Sequence, residues 1–170
     1  MQPHKIVSDG TIHLQTGSPY SGDNMAVSGA AMPLAPAARN SLTKWLAMIA
    51  KNDFRDLPSI VAADAVFHSP VGLKPYAGRD LVCLLLCTAA GVFEDFKYHR
   101  KFVDGENAVL EFSAHIGDVQ LKAVHIIRFN ATGEFTDIEK MVRPVEGVKA
   151  LGNAMGAKIG PRVKAMRASA

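Results

Sequence analysis

The chain has 170 residues, 48% of them hydrophobic and 21% charged, with a formal net charge of +3. This is enough chain for one substantial core, with the balance of a globular rather than a disordered protein. The small basic excess is dispersed, with no zinc-ligand spacing and no Arg/aromatic platform, so nucleic acid is not an expected partner.

Residues 1–38 carry Gly, Ser, Pro, Asp and Asn clusters without a sustained period, closing on Ala30-Ala-Met-Pro-Leu-Ala-Pro-Ala-Ala38. They read as an extended arm ahead of a domain over 39–170. The basic-then-apolar pattern of a secretory signal is missing here, so a cytoplasmic location is expected. Asn40 or Ser41 suits a helix N-cap, and Leu42, Trp45, Leu46, Ile49 and Ala50 recur at helical spacing. This predicts a helix over 41–51, ended by Asn52-Asp53. Leu57, Ile60 and Val61 predict a helical turn leading to a short strand over 65–69. A loop punctuated by Pro and Gly follows, then an apolar helix from Arg79. Its uncharged run, 81–93, falls short of the roughly 20 residues a bilayer span requires, so no membrane partner is expected. Cys83 and Cys87 lie one helical turn apart, a poor disposition for a disulfide, and read as small buried hydrophobes kept reduced.

From Glu94 the period becomes two. Phe96, Tyr98, Arg100 and Phe102 share one phase; Ala108, Leu110, Phe112, Ala114 and Ile116 share the next. Leu121, Ala123, His125, Ile127 and Phe129 follow, and then a last strand runs over 134–143 with Ile138, Lys140 and Val142 in phase. Gly117 and Gly133 fall where tight turns demand positive φ, so an antiparallel meander with one buried face is predicted. Val145, Val148, Leu151, Met155 and Ile159 then give a glycine-weakened helix over 145–159. Its basic residues read as a solvated face, with a membrane-surface helix as the other reading.

Two stretches carry a family resemblance. Asp64-Ala-Val-Phe-His-Ser-Pro-Val-Gly72 lies at the end of a gapless match from Trp45 to Gly72, and His125-Ile-Ile-Arg-Phe-Asn130 forms the second. In these the chain resembles the nuclear transport factor 2-like superfamily, in the branch of SnoaL-like polyketide cyclases and ketosteroid isomerases. The resemblance implies an α+β cone, in which a curved, mostly antiparallel sheet wraps N-terminal helices and leaves a pocket. It also exposes departures. The isomerase's general-base Asp falls on Ser69, its oxyanion-binding Tyr on Trp45, and its second oxyanion donor, a protonated Asp, on His125. A serine hydroxyl is not a resting proton acceptor and an indole offers one donor only, so the residues do not support ketosteroid isomerase activity itself. The carboxylate pair an epoxide hydrolase needs is not evident either: Asp137 and Glu139 are expected on the outer face.

The expected cavity wall is Trp45, Phe67, Ser69, Leu86, Phe112, Ala123, His125 and Val142. His125 stands in an otherwise apolar strand phase. It is either an acid/base group tuned by an apolar cavity or a core histidine bonded to a backbone carbonyl. Lys140 is the second catalytic candidate, a base or imine-forming amine if buried, a snorkelling side chain if not. His68, His99 and His115 are not read as metal ligands, and neither metal nor cofactor is expected. The function expected is the binding of a small apolar molecule, with isomerisation, cyclisation, dehydration or hydrolysis assisted by His125; the alternative is a non-catalytic ligand-binding or assembly module. Val109, Glu111, Ser113, Met141 and Arg143 predict a mixed outer sheet face suited to a homodimer.

Overall fold

The computed structural model describes residues 31–168, so the expected arm is described only from residue 31 onward. Helix α1 spans Pro36–Lys51, a turn earlier than the sequence suggested. Pro36 at its first position accounts for the difference, since proline presets helical φ where an N–H has no intrahelical partner. Neither Asn40 nor Ser41 is therefore the cap. Leu34 and Ala38, both assigned to the arm by sequence, are buried in the core. Asn52 ends α1 in the left-handed conformation.

A single 3-10 turn, Leu57–Ile60, leads directly into strand β1, Val61–His68. This replaces the expected start at residue 65, because Val61 pairs with Phe135 and both Val61 and Ala62 are buried rather than extending the turn. A two-residue strand, β2 (Tyr76–Ala77), folds back antiparallel on β1 and was not foreseen in the loop. Helix α2 covers Arg79–Ala90, with Leu81, Val82, Leu85, Leu86 and Ala89 buried. Cys83 and Cys87 are unpaired thiols on its inner side, and burial raises the Cys83 pKa to about 11.

Strands β3 (Glu94–Asp104), β4 (Asn107–Ile116), β5 (Val119–Phe129) and β6 (Phe135–Arg143) form the meander. The six-stranded sheet has the order β2-β1-β6-β5-β4-β3, antiparallel except where β1 runs parallel to β6. Its buried face follows the predicted phases through β4, β5 and β6. In β3 the phase breaks at a bulge between Tyr98 and Arg100. Beyond it Arg100 pairs with outward-facing Glu111, and Phe102, expected inward, is 55% exposed on the outer face.

Helix α3 spans Val145–Ala168, longer than the expected 145–159 and running through Pro161. Ile159 is buried and Val163 packs on the core, so burial carries the helix past a residue that removes one of its hydrogen bonds. The glycines that weaken it intrinsically let it sit close: a Cβ at Gly147 would lie 2.9 Å from Leu121 Cβ, and one at Gly152 would lie 3.2 Å from Val71 Cγ1. Gly133 has the stronger demand, with φ of +83° and α1 packed against it so tightly that a Cβ would lie 2.7 Å from Ala38 N. Among the described residues no helix is long and apolar enough to cross a membrane.

Candidate active site

Two adjacent strands and two outlying elements bring four polar side chains to the concave face. His125 on β5 pairs directly across the ladder with Lys140 on β6, so both point the same way off the pleat. Each is 3% exposed. Trp45 reaches the same region from α1, and Tyr98 from β3, just before its bulge.

The Trp45 indole N–H donates to the Tyr98 hydroxyl oxygen at 2.9 Å. That oxygen lies 3.2 Å from His125 Nδ1. An indole can only donate, so the Tyr98 oxygen accepts from Trp45 and its own proton is free to go to Nδ1. The arrangement favours a neutral imidazole that carries its proton on Nε2. Nε2 is the buried side-chain atom without a hydrogen-bond partner among the described residues. Leaving such a group unmet costs about 1–3 kcal/mol, which a ligand oxygen would recover. Burial, and secondarily the Lys140 charge, push the His125 pKa well below the ordinary 6.5. Burial likewise raises the Tyr98 pKa, so its hydroxyl stays protonated.

Lys140 has no acidic or hydrogen-bonding partner among the described residues. Its Nζ sits 4.9 Å from the Phe93 ring centroid and 5.9 Å from that of Phe67, two ring faces that favour its charged form. Burial lowers its pKa from 10.5 to about 7, so near neutrality a large share is free amine.

Trp45, His125 and Lys140 contribute to the walls of two cavities. The first, of ≈200 Å³, is walled by Trp45, Ile49, Phe54, Leu86, Phe93, His125 and Lys140 among others. The second, of ≈360 Å³, lies beneath α3 and contains Phe67, Ser69, Tyr76, Met155 and Ile159 in its wall. Lys140 and Ala89 line both. The single pocket expected from sequence is thus two spaces with Lys140 in the wall of both. Trp45, Leu86 and His125 belong to the first, Phe67 and Ser69 to the second.

Phe112, Ala123 and Val142 line neither cavity. They share the expected inward phase but sit where aromatic side chains fill the sheet. Phe112 is wholly buried, stacked on Phe96 at 4.6 Å between ring centroids and tilted against His125 at 4.8 Å. Ala123 and Val142 belong to that same cluster. Tyr98 is the residue sequence reasoning passed over. Its signal was a lone hydroxyl-bearing aromatic in the inward phase of β3. Outside the cavities, His68 meets Asp137 at 3.2 Å, His99 meets Ser113 at 2.7 Å, and His115 meets Asp95 at 2.8 Å. The described residues hold no group of three or more His, Cys, Asp or Glu side chains placed to bind a metal.

The SnoaL-like domain model matches residues 42–138, which covers α1 through the inner half of β6. The chain belongs to the SnoaL-like family. Among solved structures it is 43% identical to a steroid delta-isomerase from Pseudomonas aeruginosa, with a TM-score of 0.75 over 79% of this chain and 99% of that one. It is 29% identical to an uncharacterized protein with a cystatin-like fold from Silicibacter pomeroyi, with a TM-score of 0.69 over 75% of this chain and 90% of the other. An NTF2-like protein of unknown function from Mesorhizobium loti shares the fold at 18% identity and a TM-score of 0.58, over 66% of this chain and all of its own. No curated protein matches the sequence.

Proposed function

We propose that this protein is an enzyme that moves a proton on a small, mostly apolar carbonyl compound bound in the first cavity, an isomerase by the simplest reading. The observation that carries the proposal is the unmet Nε2 of His125, whose side chain lines the first cavity together with Lys140, an amine with no hydrogen-bond partner among the described residues. The carbonyl oxygen would accept from His125 Nε2–H, held in its tautomer by Tyr98 and Trp45. The Lys140 amine would take the proton α to that carbonyl, and the enolate charge would grow against the imidazole donor. Returning the proton at a conjugated carbon shifts the double bond. His125 therefore acts as a fixed donor rather than the titrating acid/base expected from sequence, because its depressed pKa keeps it neutral. The 43% identity to a protein named as a steroid delta-isomerase supports an isomerase, while Ser69 at the family's base position moves the proton acceptor's role to Lys140.

The test is α-proton exchange of a small cyclic enone in D2O, followed by 1H NMR. Exchange above the buffer rate is expected, abolished in Lys140→Met and reduced about 10²–10³-fold in His125→Phe, the usual cost of losing an oxyanion donor. No exchange over buffer in the wild type overturns the proposal. Ser69 in place of a carboxylate also favours a rival, a non-catalytic ligand-binding or assembly module; retention of the enone without exchange would establish it. The proposal includes a cytoplasmic location, in keeping with the free thiols of Cys83 and Cys87. It also includes a homodimer formed through the outer sheet face, where Phe102 and Met141 are exposed.

A further inference from the structure

We propose that Lys140 is a nucleophile that forms an imine with an aldehyde or ketone whose apolar chain occupies the cavity beneath α3. This rests on the carbonyl-binding role of His125 above and adds a covalent step and a substrate class to it.

The second cavity is larger than the first and its walls are apolar: Phe67, Leu85, Leu151, Met155 and Ile159 face one another across it. Two side chains with hydrogen-bonding groups accompany Tyr76 there. Ser69 Oγ accepts the backbone N–H of Val71 at 3.3 Å, whereas the Lys140 amine has no such tie among the described residues. The α3 wall is kept low by Gly152, Gly156 and Gly160. A Cβ at Gly156 or Gly160 would meet nothing within 4 Å, so the missing side chains leave space rather than admit a neighbour. An apolar chain fits such a space, and the Lys140 amine is the nucleophile in its described wall.

Lys140 also lines the first cavity, whose wall includes the His125 side chain. His125 and Lys140 are direct cross-strand partners, so a carbonyl carbon bound at the amine would have its oxygen on the imidazole side. The Nζ lone pair attacks that carbon, the C–N bond forms, and the π pair moves to oxygen. The resulting carbinolamine expels the oxygen as water, which leaves with the two amine protons, and a C=N bond remains. No oxidant or reductant is consumed. Once in the C=N bond the Lys140 nitrogen no longer accepts an α-proton, so imine formation with an aldehyde and proton abstraction from an enone are alternative uses of the same amine.

The experiment exposes the full chain to octanal and sodium cyanoborohydride at pH 7, with intact-mass measurement and peptide mapping. A trapped imine adds the mass of the aldehyde less one oxygen atom. Labelling at Lys140 is expected to outpace the other lysines by at least roughly a hundredfold, since a reference lysine holds only about one amine in 2,500 unprotonated at that pH, an advantage that the lower nucleophilicity of a less basic amine reduces in part. Lys140→Met should remove the fast adduct. Gly156→Leu, which fills the second cavity, should lower the octanal-to-acetaldehyde labelling ratio by about tenfold, a loss of ~1.4 kcal/mol in preference. Circular dichroism melts would show that both variants fold. Labelling spread over many lysines and unchanged in Lys140→Met overturns the imine, and an unchanged ratio in Gly156→Leu overturns the chain site. Enone exchange without any fast adduct also overturns the imine while leaving the proton-transfer reading standing.

Discussion

Lys140 stands directly opposite His125 on the β5–β6 ladder, and burial disfavours the charged form of both side chains. Burial is the larger cause for both, and for His125 the Lys140 charge adds to it. Two basic groups in one apolar space cannot both be protonated cheaply. The result is a neutral donor next to a free amine, a useful pair for carbonyl chemistry and an expensive one for folding.

Replacing Tyr98 separates the roles in the hydrogen-bond chain. Tyr98→Phe strands the Trp45 indole N–H and His125 Nδ1 together, since both bond the same oxygen. A loss of about 1–3 kcal/mol in denaturant melts is expected. Enone exchange should fall further than stability accounts for, because the imidazole is no longer held to one tautomer. A variant with wild-type exchange would show that the chain is only structural.

His125 should resist protonation. Its C2 proton, followed by NMR, is expected to show no titration near 6.5, with 15N shifts marking Nε2 as the protonated nitrogen. The unfolded state takes up that proton as pH falls below 6.5 while the folded state does not, so stability should decline on acidification through that range. An imidazole titrating as freely as one in water would contradict the burial that defines the site.

Much of this geometry was legible in the sequence because β-strand phase is a strict two-residue alternation. His125 and Lys140 announced themselves as polar residues in apolar phases, and the helical stripe on α1 located Trp45. The misses share a cause. Periodicity cannot show a bulge, so the β3 alternation was carried unbroken to Phe102 and Tyr98 was left unweighed. Nor does it show how far along the sheet an empty space extends, so Phe112, Ala123 and Val142 were assigned to a cavity that aromatic rings in fact fill. The cavity beneath α3 depends on a helix that glycines and Pro161 made look shorter than tertiary packing makes it.

Lys140→Met should stabilise the protein near neutral pH. The folded-state pKa of about 7 lies below the ordinary 10.5, so between these values the unfolded state binds more protons and wild-type stability rises with pH. Below pH 7 the full cost is present, on the order of 5 kcal/mol at ~1.4 kcal/mol per pKa unit. The methionine variant removes that cost and should flatten the rise between pH 7 and 10 in denaturant melts. A variant less stable than wild type at pH 7 would mean the ammonium is well solvated or paired.

Sedimentation should report the proposed homodimer at twice the 18.2 kDa chain mass. The outer face carries exposed Phe102 and Met141 beside the Arg100–Glu111 pair. Met141→Glu, which faces away from both cavities, should shift the equilibrium to monomer. A single monomeric species of the wild type at micromolar concentration would remove the dimer from the account.

The central claim, a free amine held in an apolar site beside a neutral imidazole, is tested most directly by titrating the lysine side chains. With 13C-labelled lysine, the Cε resonances can be followed by NMR from pH 5 to 11. One resonance should titrate near 7, vanish in Lys140→Met, and shift upward in pH when the His125 neighbourhood is opened by Trp45→Ala. If every lysine titrates near its reference value of about 10.4, the amine is charged at neutral pH and neither the proton-transfer nor the imine chemistry has its base.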